Sequence, residues 1–595
     1  MKPDQTPGRL SEGLRNPWYW LAAGLFVVYI RGLFLDVMDV DASQYASISM
    51  EMLQNGHWLE VQHRHADYLD KPPLLFWVSA SSFALFGLHN WAYKLPSVLA
   101  ALLGIYATYR FCLLYYPKNT ARHAAFILAS SVGALMLCND VRTDTLLMAI
   151  TACAVWQLGE WLNPTPNPTP KGEGGGDGAV NSTSPLPFRG GVGGGVYRHL
   201  FLAAIFVGLA MLAKGPIGLI APAFAVGAHL LLRRHWRRLF DWRWLTGLTL
   251  ALLVLAPMCW GLYRQYDLHP EKTVNGRTGV SGLYFFFWEQ SFGRITGENV
   301  WKNDTSAFYF LHVYLWAFLP WPFLFVGALW QRLRHLWVQK FKLPATDEAF
   351  SIGGFVLTFA ALSMSQYKLP HYIFITLPWA AILTARWLVS APRVGLWAQL
   401  AVYLVLALTS FLLLGFVFPT TNLLLWAIPT GVFGYLGWQS WRTPVPIHPD
   451  AAVQRGILAF LGAAFVLNFH FYPELLPYQS TSAVPRYARA RQIPTDRLAV
   501  YHRHGHALDF YSGRILPALD TPEAVRQKAL GSGDYWLYTD ARGFDRLDSA
   551  GVTLQETARF SHFQVALLKP AFLLPATRPE ALDTVFLLKI LAQQH

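Results

Sequence analysis

Two short polar stretches carry more reactive side chains than loops beside a membrane need. One reads Asp36-Val-Met-Asp39-Val-Asp41-Ala-Ser-Gln-Tyr45, the other Tyr68-Leu-Asp70-Lys71-Pro72-Pro73. Asp39 and Asp41 precede a helical pattern, and an N-cap accounts for one of them. The other suits a general base or a group that orients an acceptor, and one residue can do both jobs. Asp70-Lys71 reads as an exposed pair opening a helix before the prolines, or as a ligand for a lipid phosphate. Arg142 and Asp144, in Asn139-Asp-Val-Arg142-Thr-Asp144, open a hydrophobic run. Snorkelling or a local salt bridge explains them, as does a functional site at membrane depth. Lys214 in Lys214-Gly-Pro216 stands alone in a tight turn, which favours anion binding. Gln366-Tyr-Lys368-Leu-Pro-His371-Tyr372 is an interfacial belt or a donor-rich site for phosphate or sugar.

These clusters must be positioned by helices. The chain has 595 residues, of which 53% are hydrophobic and only 14% charged, so soluble domains are excluded as its main content. Apolar runs of about 17–25 residues recur, each able to cross a hydrocarbon core of roughly 30 Å. The expected fold is a polytopic α-helical membrane protein of about thirteen transmembrane helices. The spans fall near 17–36, 93–115, 121–138, 142–162, 198–213, 215–232, 242–264, 306–331, 349–364, 371–390, 395–416, 421–440 and 453–473. The net charge of +13 would suit nucleic acid, but the basic residues lie in short inter-span loops, as the positive-inside rule requires. Lys2, Arg9 and Arg15 precede a first span too long for a signal-peptide core, which predicts an uncleaved helix. Cys112, Cys138, Cys153 and Cys259 lack metal spacing and read as packing residues.

With the N-terminus inside, Lys118/Arg122, the 163–197 linker, Arg233–Arg238, Arg332–Lys342, Arg393 and Arg442 are cytoplasmic. The Asp41 loop, Asn139–Asp144, Lys214–Pro216, residues 265–305 and Gln366–Tyr372 then share the outer side, as an active site at that boundary requires. Tyr45, Ile48, Met52 and Leu53 make one apolar stripe, which predicts a helix over 41–56 lying in the interface plane. The run 74–88 is short for a span and reads as re-entrant or interfacial. The Pro- and Gly-rich stretch 163–197 reads as a disordered cytoplasmic insertion. Beyond residue 473, short strands at 498–501, 535–538 and 563–568 and a terminal helix over 578–595 predict a small outer α/β domain, 474–595. His502, His504 and His506 alternate. On a strand they share a face, either solvated or metal-binding. The sequence has no P-loop, H-E-x-x-H or nucleophile elbow.

Asp41-Ala-Ser-Gln-Tyr45-Ala, Tyr68-Leu-Asp70-Lys71-Pro-Pro-Leu, Leu212-Ala-Lys214-Gly-Pro216, Gly293-Arg294-Ile-Thr-Gly-Glu298 and Lys368-Leu-Pro-His371-Tyr372 occur in that order. This ordered set resembles the bacterial lipid A aminoarabinose transferases (ArnT-like), within the GT-C superfamily of protein O-mannosyltransferase-like enzymes. The likeness covers roughly residues 15–480. It implies a GT-C transferase domain over 1–473 and an inverting glycosyltransferase of the bacterial inner membrane with a periplasmic site. The implied donor is a polyprenyl-phosphate sugar, and the acceptor is lipid A, another glycolipid or protein. By the same likeness, Asp41 is the catalytic acid of the first outer loop, with Asp144 beside it. Lys71, Arg142, Lys214 and Lys368 hold the donor phosphate. Asp39, Tyr45, Tyr68, Asp70, His371 and Tyr372 line the sugar and acceptor site, and flexible residues 265–305 order over bound lipid. Ala42 and Gln44 stand where the family often has Glu and Arg.

A polyprenyl phosphate is a good leaving group, so the chemistry needs cations rather than an acid. A hydroxyl acceptor requires a base, for which Asp41 is placed. A phosphate acceptor does not, and Asp41 then orients the sugar. No nucleotide cofactor or nucleic-acid partner is expected, and a divalent metal is left open. The rival readings are a protein O-glycosyltransferase and a lipid-linked sugar flippase. A flippase places its ionisable residues near the midplane, often within internal repeats.

Overall fold

The structure is a computed structural model and describes residues 16–163, 193–298, 303–344, 346–390, 393–444, 448–532 and 534–591. Lys2, Arg9, Arg15 and nearly all of the expected insertion at 163–197 lie outside the described residues. Six helices among these are long and apolar enough to cross a bilayer, or seven if one bent pair forms a single span. The chain is a multi-pass helical membrane protein.

Helix Pro17–Leu33 begins where Asn16 accepts from the Trp18 N–H at 3.1 Å, with Pro17 preset for the first turn. Thr143–Leu162 is the most enclosed span, with 89% of its apolar window buried. It packs between Asn90–Cys112 and Gly193–Lys214. Close approach of backbones carries that packing. A Cβ on Gly104 would sit 2.8 Å from Ala149 Cα.

Several expected elements differ. The span at 121–138 is two helices, Lys118–Ala129 and Val132–Asn139, bent by 51°. Ser130 and Ser131 donate back to the carbonyls of Phe126 and Leu128, and the Ser131 hydroxyl caps the second helix. The span at 306–331 divides into Tyr309–Ala317 and Pro322–Val338 around Pro320. The span at 371–390 starts as a 3-10 turn, Pro370–Thr376, before helix Leu377–Leu388. Helix Asp41–Asn55 forms, but it is buried on nearly every side rather than striped. Ser43, Ser47 and Ser49 fill its polar face and are small enough to be covered by helices Leu74–Phe86 and His506–Ser512. Leu74–Phe86, at 13 residues, reaches only about 20 Å, short of the roughly 30 Å of a crossing. Residues 265–296 hold short helical turns and a hairpin, Thr273–Val274 with Arg277–Thr278.

The C-terminal part is built on a five-stranded sheet. Its order is Ala518–Leu519, Leu498–Tyr501, Tyr535–Asp540, Asp583–Ile590, Leu554–His562, and the first three run parallel. Apolar cores cover both faces, one holding Val525 and Leu547, the other Val484 and Leu508. The expected strand at 563–568 is instead a turn. Phe563 and Val565 leave the sheet to pack with Phe572, and the strand lies earlier, at Leu554–His562. The expected terminal helix is instead the interior strand Asp583–Ile590. It is paired on both edges, and its buried Val585–Leu588 run is apolar on both faces and lacks the alternation of a half-exposed strand. His502, His504 and His506 share no strand face. Their strand ends at Tyr501, His502 accepts φ +61° and pairs with Asp540, and His506 starts a helix. No group of three or more metal-type ligands occurs among the described residues.

Gly104→Leu should lower the thermal midpoint of the detergent-solubilised protein by several degrees, as overpacking costs about 1–3 kcal/mol. An unchanged midpoint by scanning fluorimetry would show that the two helices part without cost.

Candidate active site

The loop after helix Pro17–Leu33 enters helix Asp41–Asn55 through two acids facing different partners. The Asp41 carboxylate accepts from the Arg142 guanidinium, whose Nε donates to Asp140 Oδ2 at 2.8 Å. Arg142 is extended, at φ −136° and ψ 159°, just before helix Thr143–Leu162, and that geometry turns its side chain toward the loop. Burial alone would lower the Arg142 pKa, but Asp140 and Asp41 outweigh it and raise the pKa well above its ordinary value. Asp39 is engaged elsewhere. It accepts from the hydroxyls of Ser43 and Thr481 and from the Ala507 N–H at 3.3 Å.

Asp144 lies in the first turn of Thr143–Leu162 and is buried. Lys214 donates to it at 2.5 Å, and His371 Nε2 is 3.7 Å from its other oxygen. Lys214 ends its helix because Gly215 follows in the left-handed conformation, at φ +84°, and Pro216 starts the next helix. The turn places the Lys214 ammonium over the Tyr372 ring, 3.8 Å from its centroid.

Lys71, Lys214, Arg294, Gln290, Ser291 and Tyr372 line one cavity, with Leu147, Ile217, Ile220, Ala361 and Leu362 as its apolar wall. The cavity volume is about 100 Å³, and it opens to the surroundings. Arg294 is held on both sides, donating to Tyr372 Oη at 2.8 Å and to Gln290 Oε1 at 3.0 Å. Lys71 has no hydrogen-bond or ion-pair partner among the described residues. Burial lowers its pKa from the ordinary lysine value, Arg294 lowers it further, and Asp70, Asp41 and Asp144 oppose both. These acids and cations therefore act within one field.

Tyr68 and Lys71 also line an adjoining apolar recess with Phe285 and Phe286. Tyr45 is buried behind it, against Phe76. Asp70 stands at the rim, where Asn275 donates to it at 3.2 Å. Two expected ligands point away. Lys368 is buried and donates to the Thr305 carbonyl at 3.1 Å, while its backbone exchanges hydrogen bonds with Asn303. Arg142 bonds carboxylates and is not in the cavity lining. Sequence reasoning assigned no role to Arg294, Gln290 or Asp140. For Arg294 the signal was a lone cation in the quoted Gly293–Glu298 motif. Ala42 is buried, and its carbonyl accepts from Tyr93 Oη at 2.7 Å.

Binding of a phosphate-bearing ligand in this cavity should weaken as pH rises through the lowered Lys71 pKa, earlier than an exposed lysine would lose its charge. Lys71→Arg should move that alkaline limb upward, and Lys71→Met should weaken binding about 10- to 100-fold at neutral pH, the loss of one charge-assisted hydrogen bond. Fluorescence titration across pH checks both, and an unmoved limb in Lys71→Arg rules Lys71 out as the titrating group.

Residues 70–163 match the family model described as dolichyl-phosphate-mannose-protein mannosyltransferase. Over 378 residues the chain is 27% identical to the undecaprenyl phosphate-alpha-4-amino-4-deoxy-L-arabinose arabinosyl transferase of Edwardsiella ictaluri, covering 62% of this chain and 58% of that protein. The enzyme of the same name from Pseudomonas aeruginosa is 25% identical over 394 residues, covering 64% and 61%. The aligned part thus spans about three-fifths of these relatives. The crystal structure of ArnT from Cupriavidus metallidurans bound to undecaprenyl phosphate superposes with a TM-score of 0.69 at 18% identity, over 96% of this chain and 97% of that one. In fold the chain is similar to this ArnT structure.

Proposed function

We propose that this chain is an integral-membrane glycosyltransferase that moves a sugar from a polyprenyl-phosphate donor to lipid A or a related envelope glycolipid. The observation that carries this is the convergence of Lys71, Lys214 and Arg294 on one cavity with a continuous apolar wall. A phosphate joined to a prenyl chain has that same division of polarity. The cations stabilise the departing phosphate as the bond to the sugar breaks, so no proton need be supplied to it. Asp144 fixes the Lys214 ammonium and stands beside His371 at the sugar. Arg142 fixes Asp41 at the acceptor side, with Tyr45, Tyr68, Asp70 and Tyr372 forming the surrounding surface. A phosphate acceptor arrives ionised, and Asp41 then orients the sugar. A hydroxyl acceptor gives its proton to Asp41. Lys368 and Asp39 serve by holding the outer loop and the C-terminal segment against the site.

This reading places the site on the periplasmic face of the bacterial inner membrane, as the distribution of basic loops supports. It takes residues 1–473 as a transferase domain of about thirteen spans, counting the shorter and broken apolar helices. Residues 474–595 form an outer α/β domain, 163–197 a cytoplasmic insertion, and 265–305 a cover over bound lipid. A protein acceptor is the second reading, favoured by the mannosyltransferase match over 70–163.

The purified full-length protein, given labelled undecaprenyl-phosphate aminoarabinose, should label lipid A in detergent without any vesicle compartment. Asp41→Asn should reduce transfer by at least about 100-fold at normal expression, the scale of a lost general-base or positioning group. Label appearing only on Ser- or Thr-containing peptides would replace lipid A with a protein acceptor, and full activity of Asp41→Asn would remove Asp41 from the chemistry.

A further inference from the structure

A second polar cavity lies at the other end of the bundle, away from the transfer chemistry. Helix Phe350–Ser363 runs between the two. Its end, at Ala361 and Leu362, walls the Lys71 cavity. Its start lies about 18 Å away by helical rise, where Asp347 and Glu348 precede it. There Gln331, Arg332, His335, Arg386 and Ser390 line an opening whose apolar wall is Ala328, Leu383 and Trp387.

Arg332 is only 5% exposed. It donates to Asp347 Oδ2 at 2.7 Å and to the Glu348 carbonyl, and its Nε–H is buried without a partner. Arg386 donates to both oxygens of the same Asp347, at 2.8 and 3.3 Å. Glu348 is occupied away from the opening, accepting from Tyr116 Oη at 2.6 Å and the Ser351 N–H at 2.9 Å. The cavity therefore presents two guanidinium groups that bond one carboxylate directly, while the Glu348 carboxylate stands one hydroxyl further off, behind Tyr116, whose Oη lies 3.4 Å from Arg386. Their clustered N–H groups suit a phosphate, which takes several donors at once. Trp330 and Trp337, on the helix that carries Arg332, are 70% and 73% exposed, as side chains at a membrane–water boundary are.

We propose that this cavity holds the phosphodiester headgroup of an anionic membrane lipid, seated between Arg332 and Arg386, with its glycerol and first methylenes against Leu383 and Trp387. A basic pocket between helices at headgroup level is a known physical basis for such selection. Free phosphate would use the guanidinium groups and leave the apolar wall bare. The site is independent of the transfer reaction.

Native mass spectrometry of the full-length protein tests this, with phosphatidylglycerol, phosphatidylcholine or inorganic phosphate offered in turn. Phosphatidylglycerol should be retained about tenfold over phosphatidylcholine, the order of one to two nearby cations. Ser390→Asp and Gln331→Glu add negative charge at the rim without touching Asp347. Each should erase the preference while leaving the melting temperature in phosphatidylcholine unchanged. Equal retention of the two lipids overturns the proposal. So does a preference that survives both rim variants, which would belong to the Lys71 cavity, or stabilisation by inorganic phosphate equal to that by phosphatidylglycerol.

Discussion

A charged side chain at the edge of a bilayer persists only where a partner or water compensates it, and the Asp144–Lys214 pair carries that constraint here. The Asp144 side chain is 2% exposed and that of Lys214 15%. Removing either partner would strand the other, at a cost of about 3–5 kcal/mol. The pair ties the start of one span to the end of another, and the Tyr372 ring beneath the ammonium brings in a third segment. Arg142 does the same for the first loop through Asp41 and Asp140. Lys214 and Arg142 are thus locked to carboxylates and Arg294 to Tyr372 and Gln290, whereas Lys71 has no hydrogen-bond or ion-pair partner among the described residues.

How much of this the sequence discloses depends on how local each cause is. Lys71, Lys214, Asp41, Asp144 and Tyr372 stand out because a lipid-facing chain has no packing use for them, and the structure brings them into one electrostatic field. Composition marks a cation but not its direction. Lys368 looked equivalent to Lys214, yet it turns to the Thr305 carbonyl, a contact across 63 positions. Arg294 is the converse. It sits in an aromatic stretch of short turns, and its place is fixed by a hydrogen bond from the Gln366 N–H to its carbonyl and by Tyr372, both more than 70 positions away.

The C-terminal sheet shows the same limit in another form. The edge strand Leu554–His562 carries no clean alternation, because a bulge between Glu556 and Ala558 shifts its register. The Val585–Leu588 run of its neighbour is apolar on both faces and matches a buried helix as well as a strand. In the membrane part, chain length found the apolar runs, but the breaks at Ser130-Ser131 and Pro320 depend on hydroxyl and proline chemistry, which hydropathy does not register.

Asp39 and Asp41 show why the C-terminal segment and the cavity must be understood together. Two positions apart, they face opposite ways. Asp39 accepts from Thr481 and Ala507, and its N–H donates to Gln479 Oε1 at 2.8 Å. Asp41 accepts from Arg142. Gln479 also donates to the Val37 carbonyl at 2.9 Å, so one side chain grips the loop at both Val37 and Asp39. Further along, Glu51 accepts the N–H groups of Arg64 and His65, and Arg64 pairs with the buried Asp509. The helix that begins at Asp41 is therefore clamped at its start and near its end by residues that also bind the C-terminal segment. A displacement of that segment would be felt first at Asp39 and then, through two peptide units, at the carboxylate beside Arg142. Position at Asp41 is thus set from both directions. The surplus acid in the loop is explained by this division: one carboxylate holds the loop so that the other can stay in place.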